Sequence, residues 1–286
     1  MAACPSKFVP TMATKIIPGW MRRESVDTST TSTSAPCESG VSKADVESAE
    51  SSDDSFFIHA NYTACHRESG EICTMTLDEW IIARLQRPLP ATAAHERFVP
   101  DIPDRRSRLQ PAPADARNSA VLMPMVFDRN GGISTVLTVR SEGLRNHRGQ
   151  ISFPGGRSDE GEDAVMTALR EAHEEIGLTS DRVHVLGQLS PLYIPPSHSA
   201  VTPVVAVVSE PPTWQINTEE VSEVLVVPMS VFRDPRNVLL RNDIIQGVPV
   251  DVPHWNVHPT IPLWGATAMM LNELVMIINE YDMESA

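Results

Sequence analysis

The chain is poor in the features that mark several protein classes. It has four cysteines in 286 residues, Cys4, Cys37, Cys65 and Cys73, all before residue 74 and none in a CxxC pair. That spacing supports neither a disulfide framework nor a structural zinc site. Cys65-His66 with Cys73 reads as ordinary thiols of a reducing compartment rather than as metal ligands. No apolar run reaches the ~18–20 residues that a bilayer-crossing helix needs, so a soluble protein is expected. Positive charge is scarce: 23 Lys and Arg stand against 37 Asp and Glu, a formal net charge of −14. Proteins that grip nucleic acid or an anionic membrane mainly by electrostatics present clustered Lys and Arg, so neither partner is expected. No internal repeat is visible, and Met283-Glu-Ser-Ala286 is not a peroxisomal Ser-Lys-Leu tripeptide.

An apolar fraction of 41% is enough for a sizeable core. Residues 1–23 hold Lys7, Lys15, Arg22 and Arg23 and no acid, the charge bias of an organelle transit peptide. Pro5, Pro10 and Pro18 work against the amphipathic helix of such a peptide. An intracellular protein is expected, mitochondrial or otherwise cytoplasmic. Residues 24–75 read as a disordered acidic linker. From Glu24 to Ser55, 14 of 32 residues are Ser or Thr, and 24–54 holds eight acids against the single base Lys43. So little apolar content cannot repay the entropy of ordering. Over 76–116, Thr76-Leu-Asp-Glu79 forms a capping-box pattern that opens a short helix with Trp80, Ile81, Ile82 and Leu85 on its apolar side. Pro88 ends that helix, and a proline-rich lead-in follows.

From 117 to 282 the pattern is that of a domain. Ala120–Phe127 and Ile133–Val139, joined by Asp128-Arg-Asn-Gly-Gly132, predict a hairpin. Further strands are expected at Gln150–Phe153, Arg182–Leu189, Pro203–Val208 and Glu223–Val227. Helices are expected at Asp163–Ile176 and from about Gly265 to Tyr281. Mixed strands with one helix inserted among them and another at the end imply the α/β class, an α/β/α sandwich around a mixed β-sheet.

The helix at Asp163–Ile176 carries unusual charge. Its stripe of Val165, Ala168, Leu169, Ala172 and Ile176 suits a core, and Glu171, Glu174 and Glu175 are expected on the other side. Like charges three and four residues apart repel by a few tenths of a kcal/mol, roughly 0.2–0.5. A solvated acidic face would tolerate that. The alternative is an all-oxygen ligand set, which selects a hard cation such as Mg2+ or Mn2+. Mg2+ keeps its waters and favours phosphate oxygens, so a diphosphate substrate is its natural companion. Arg170, four residues before Glu174, can fix that carboxylate's rotamer. Gly177 suits the left-handed residue that closes a helix.

The spacing decides between these readings. Gly156, five residues, Glu162, seven residues, then Arg170-Glu171-Ala172-His173-Glu174-Glu175-Ile176-Gly177-Leu178 resembles the Nudix box over its 23-residue length. Its one departure is Ala172, where the family has a larger aliphatic residue, a matter of packing. The resemblance implies a Nudix-type α/β/α sandwich that hydrolyses a nucleoside diphosphate linked to another moiety. It implies Glu171 and Glu175 as the main Mg2+ or Mn2+ ligands, Glu174 as a further ligand or general base, and Glu162 as a carboxylate behind them or on a further ion. Glu174, Arg170 and Glu162 are then the catalytic set.

Upstream, "LTVRSEGLRNHRGQISFPGG" at 137–156 resembles the second signature of the coenzyme A diphosphatase branch of this family. Arg140, Ser141, Leu144, His147, Gly149, Gln150 and Ile151–Gly156 all fit it. The implied substrate is coenzyme A or a thioester of it, bound by Arg140, His147, Gln150, Gly155 and Gly156. The 3′-phosphate would explain Arg140 and His147, with Arg145 and Arg148 as further donors or plain surface cations. "PLYIPPSHSAVTPVVAVV" at 191–208, "TEEVSEVLVVPMSVF" at 218–232 and "WGATAMMLNEL" at 264–274 resemble the same branch's later elements. Glu219 or Glu220 is an alternative base on a loop facing the metal, and His198 reads as a loop residue. Two readings compete with this one: a Nudix hydrolase for ADP-ribose, NADH or a capped RNA, and an inactive Nudix fold used for binding. No box glutamate is missing, as an inactive module would have it.

Overall fold

The structure, a computed structural model, describes residues 75–100, 109–128, 131–143, 149–209, 213–245 and 247–285. The targeting segment, the Ser/Thr-rich linker up to residue 74, His147, Arg145 and Arg148 lie outside these.

The first helix, α1 (Leu77–Leu85), opens with the expected capping box. Thr76 Oγ1 accepts the Glu79 N–H, and the Glu79 carboxylate accepts the Thr76 N–H at 2.9 Å. One turn, α2 (Thr92–His95), follows. The domain's sheet is then built from β1 (Arg117–Phe127), β2 (Ile133–Arg140), β3 (Ile151–Ser152), β4 (Gly155–Arg157), β5 (Val183–Gln188), β6 (Leu192–Ile194), β7 (Ser199–Val208) and β8 (Val221–Pro228). Helix α3 (Ala164–Ile176) sits between β4 and β5 in the chain. The sheet is mixed: β1 runs parallel to β7 and antiparallel to β2 and β4. Strand β8 pairs with β2, which carries Arg140 to the start of β8, where it faces Val221. The same level of β1 faces Gly155 and Gly156.

Alternation along β1 divides the core into two layers. Ala120 and Leu122 turn to one face, with Val136, Val204 and Ala206, under Ala168, Ala172 and Ile176 of α3. Met123 and Met125 turn to the other, with Leu137 and Val205, against α1 and the last helix, α5 (Gly265–Ser285). This is the expected α/β/α sandwich.

Three features go beyond the sequence reading. Strand β1 begins at Arg117, three residues earlier, because β7 pairs with it from Ser199 onward. Gly155 and Gly156, beyond the strand expected at Gln150–Phe153, form β4 against β1. Gly155 has φ 156°, and a Cβ there would meet the Ala120 carbonyl oxygen at 2.4 Å, so only glycine lets the two backbones approach. After a short helix, α4 (Met229–Arg233), a second sheet appears: β9 (Val238–Ile245), β10 (Val248–Trp255) and β11 (Leu263–Trp264), with β9 at its edge.

Candidate active site

Helix α3 is held at both ends by its own sequence. Asp163 caps its first turn by accepting the Met166 N–H at 2.8 Å, and Gly177 ends it in the left-handed conformation. The loop at 213–220 then folds back onto this end: the Gln215 N–H bonds the Ile176 carbonyl and the Asn217 N–H bonds that of Glu175. A Cβ on Gly177 would strike Gln215 at 2.6 Å, so the glycine also makes room for the loop. This docking brings Glu220 beside the helix.

The carboxylates do not all share one exposed face, and here the sequence reading is corrected. Glu175 is only 1% exposed and lies on the inner side of α3. Its Oε2 accepts the Gly155 N–H at 3.2 Å and its Oε1 accepts from Arg140 Nη1 at 3.3 Å. Burial pushes its carboxyl from the ordinary 4.5 up to about 7, against Arg140 and the Gly155 N–H, with Glu171 and Glu220 adding repulsion. Glu171 is raised too, first by burial, with Arg170 opposing and Glu174 and Glu220 adding to it. Its carboxylate lies over Gly156, where a Cβ would sit 2.5 Å from it. Glycine at 156 is therefore the space that Glu171 occupies.

Arg170 does more than hold Glu174. Its Nε and Nη2 bond the two oxygens of Glu162 at 2.8 and 3.0 Å, and its Nη1 reaches Glu171 at 2.9 Å and Glu174 at 3.2 Å. Glu162 also accepts from the Asp159 N–H and Thr167 Oγ1. The Arg170 hydrogen bonds, then the Asp159 N–H, hold its carboxyl down at about 2. Glu174 points outward and is half exposed.

Among the described residues, no three His, Cys, Asp or Glu side chains are already gathered as a metal cage. The expected convergence is thus partial: Arg170 draws Glu171 and Glu174 to itself, and Glu175 stands inside. The donor chemistry still fits a hard divalent ion. Mg2+ is usually held by one or two carboxylates, waters and substrate phosphates. Glu171 and Glu175 are two acids whose carboxyls burial raises, with Glu220 close enough to add to both. Of the two loop acids weighed from sequence, Glu220 is therefore the one that senses the site. No hydrogen bond of Glu219 leads there.

Of the other expected residues, Gln150 gives its carbonyl to the Arg140 N–H at 2.9 Å, extending the β2–β3 pairing. The Ser141 N–H bonds the Glu220 carbonyl at 2.8 Å, tying the upstream motif to the Glu220 loop. His198 bonds Tyr193 and pairs with Asp115, and neither contact reaches the glutamates. A polar cavity of about 400 Å3 opens beside the box, lined by Arg117, Asn118, Arg157 and Ser158–Glu162. Sequence reasoning did not single out Arg117 or Arg157.

Burial of Glu175 has a consequence for stability. Its protonated form suits the interior better than the carboxylate, so metal-free protein should lose stability as pH rises from 4.5 to about 7. The loss at neutral pH is on the order of 3 kcal/mol. Glu171, also raised, acts in the same sense, while Glu162 acts only between about 2 and 4.5, outside this window. Melting temperatures in EDTA should therefore fall across it, and Mg2+ should restore more at pH 7 than at pH 5 because metal competes with the proton. A flat profile without metal would show that the buried charge costs nothing.

The domain model that matches this chain is the NUDIX domain, over residues 116–246. The uncharacterized Nudix hydrolase NudL of Yersinia enterocolitica is 36% identical over 176 residues, which cover 59% of this chain and 88% of that protein. The chain belongs to the Nudix hydrolase family, whose members are pyrophosphatases that need divalent metal ions. Two similar proteins have a named substrate. The mitochondrial coenzyme A diphosphatase NUDT8 of Homo sapiens is 41% identical over 136 residues, covering 46% of this chain and 55% of that protein. The peroxisomal coenzyme A diphosphatase NUDT7 of Mus musculus is 37% identical over 143 residues, covering 47% and 60%. The chain thus spans little more than half the length of these two.

Proposed function

We propose that this enzyme hydrolyses the diphosphate of coenzyme A or of a coenzyme A thioester, with Mg2+ or Mn2+, releasing 3′,5′-ADP and 4′-phosphopantetheine or its acyl form. The observation that carries this reading is the Arg140–Glu175 contact. Arg140 belongs to the motif typical of the coenzyme A branch and Glu175 to the Nudix box, so the two motifs meet in one pair of side chains. The names of the human and mouse relatives support the same substrate.

Glu171 and Glu175 would hold the divalent ion. Such an ion neutralises the diphosphate and lowers the pKa of a water molecule. Glu174, half exposed and bonded to Arg170, accepts the proton as the water oxygen bonds to phosphorus and the bridging P–O bond breaks. The leaving phosphate keeps the electron pair. Glu220 is the alternative acceptor. Glu162 fixes Arg170, and Arg170 in turn orients Glu171 and Glu174. Arg140 spends one N–H on Glu175 and is 23% exposed, which leaves its other donors for a phosphate, alongside His147. Gln150, Gly155 and Gly156 shape the backbone against which the diphosphate lies. The basic, acid-free first 23 residues fit mitochondrial import, and the alternative is a cytoplasmic enzyme.

The test is a substrate panel with purified protein and Mg2+: coenzyme A, acetyl coenzyme A, ADP-ribose and NADH. Release of 3′,5′-ADP from the first two, faster than any cleavage of the others, is expected. Cleavage of ADP-ribose or NADH without 3′,5′-ADP from coenzyme A would overturn the reading.

A further inference from the structure

The second sheet ends on an apolar edge. In β9, Leu240 and Ile244 are 66% and 71% exposed, and no strand among the described residues pairs with its outer side. Large apolar side chains on an open edge strand invite another strand, and folded proteins normally blunt such an edge. The backbone says which groups are open. Residues 246 and 247 separate Ile245 from Val248, which face each other as the last pair of the β9–β10 hairpin. In a hairpin of that loop length the closing pair is hydrogen-bonded, so the odd-numbered residues of β9 turn N–H and C=O toward β10. Leu240, Asn242 and Ile244 turn theirs outward. In keeping with this, the Ile244 N–H bonds no strand but the Asp243 carboxylate, at 2.9 Å.

The sequence of this edge is complementary to itself. We infer that β9 is the pairing edge for a second copy of this chain, joined antiparallel about a two-fold axis at Asn242. In that register Leu240 faces Ile244 of the other copy, Arg241 faces Asp243, and Asn242 faces Asn242. Hydrogen-bonded positions fall on the even residues, whose backbone groups are the open ones. The charged pair falls on the close, non-hydrogen-bonded position and occurs twice. A shift by two residues in either direction would lose both charge pairs. Arg241 adds a second observation. Its guanidinium stacks on Trp264, 4.8 Å from the ring centre, and bonds Asp243 at 3.1 Å, yet its buried Nε–H has no partner. The stack and the ion pair hold the guanidinium in place on β9, so the charge that Asp243 of the second copy would meet is already ordered. An isologous contact of this kind closes on itself as a dimer and joins two three-stranded sheets into one of six.

The test is sedimentation of the full-length protein up to about 100 µM, with variants that reverse one charge each. The wild type is expected to be a dimer. Arg241→Asp and Asp243→Arg each place like charges in both pairs, and each alone should weaken the dimer at least tenfold, by about 1.4 kcal/mol or more. An equimolar mixture of the two variants should dimerise again, because each supplies the charge the other lacks. That recovery also shows that both variants are folded. A monomeric wild type overturns the inference, whatever covers the strand instead. A dimer that neither variant weakens, or a mixture that stays monomeric after both variants dissociate, overturns it as well.

Discussion

Replacing Glu175 with glutamine should lower turnover by about 10³-fold or more while making the metal-free protein sturdier at neutral pH. The two effects have one origin. Glu175 is enclosed, and among the described residues its charge is answered only by Arg140 at 3.3 Å and one backbone N–H. An amide keeps the shape and one acceptor oxygen and removes the charge that burial penalises. Its Oε1 can take the Gly155 N–H, and Arg140, 23% exposed, is partly open to solvent. A gain of about 1–3 kcal/mol at pH 7 is expected for the apo protein, and none at pH 4, where the native carboxyl is already protonated. Catalysis then loses the proposed metal ligand on the inner side of the site. Steady-state rates and chemical denaturation in EDTA, measured on the same preparation, separate the outcomes. Activity within tenfold of wild type would show that Glu175 holds no metal, and a large loss of apo stability would show that its charge serves the fold.

The largest effect on folding is expected far from that helix, at Glu273. Its side chain is 0% exposed on α5, yet it accepts four hydrogen bonds, from the Ala91 N–H at 2.8 Å, His95 Nε2 at 3.3 Å, the Ser190 N–H at 3.2 Å and Ser190 Oγ at 2.6 Å. Burial pushes its carboxyl up, but the donors of His95, Ser190 and Ala91 outweigh it and hold the group below its ordinary value. The serine, histidine and acid do not make a nucleophile. Ser190 donates to the glutamate and not to the histidine, whereas an activated serine must give its proton to the base. The cluster instead ties α5 to the turn before α2 and to the segment after β5. Glu273→Ala would strand these donors in the interior, at a cost of about 3–5 kcal/mol. Urea denaturation reads this directly, and a cost below about 1 kcal/mol would mean that water replaces the carboxylate without penalty.

Local signals carried much of the reading. Thr76 with Glu79, Asp163 with Gly177, and the Asp128–Gly132 turn each act within a few residues, and each element they announce is present. What escaped depends on meetings between distant segments. A helical projection of α3 cannot reveal that Gly155 and Arg140 arrive on its inner side and enclose Glu175. Nor can i,i+4 spacing show that Arg170 reaches first for Glu162, eight residues back across a turn. The β9–β10 hairpin was missed for another reason. Its outer face carries Leu240, Ile244, Pro249 and Pro253 in place of polar residues, so the alternation that marks a half-buried strand is blurred. Glu273, set in the largely apolar stretch 269–278 of α5, shows its role only when Ala91 and Ser190 come into view.

Arg170 already answers the negative charge of Glu171 before any ion arrives. On the proposed assignment, an ion that enters shares that carboxylate with a guanidinium or takes it over, so loading the site is an exchange of partners and not the filling of a vacancy. A monovalent cation offers Glu171 no more charge than Arg170 does and has to shed water to do it. Potassium, abundant in cells, therefore leaves the arrangement as it is. A doubly charged ion repays the exchange, and a diphosphate arriving with it repays it further.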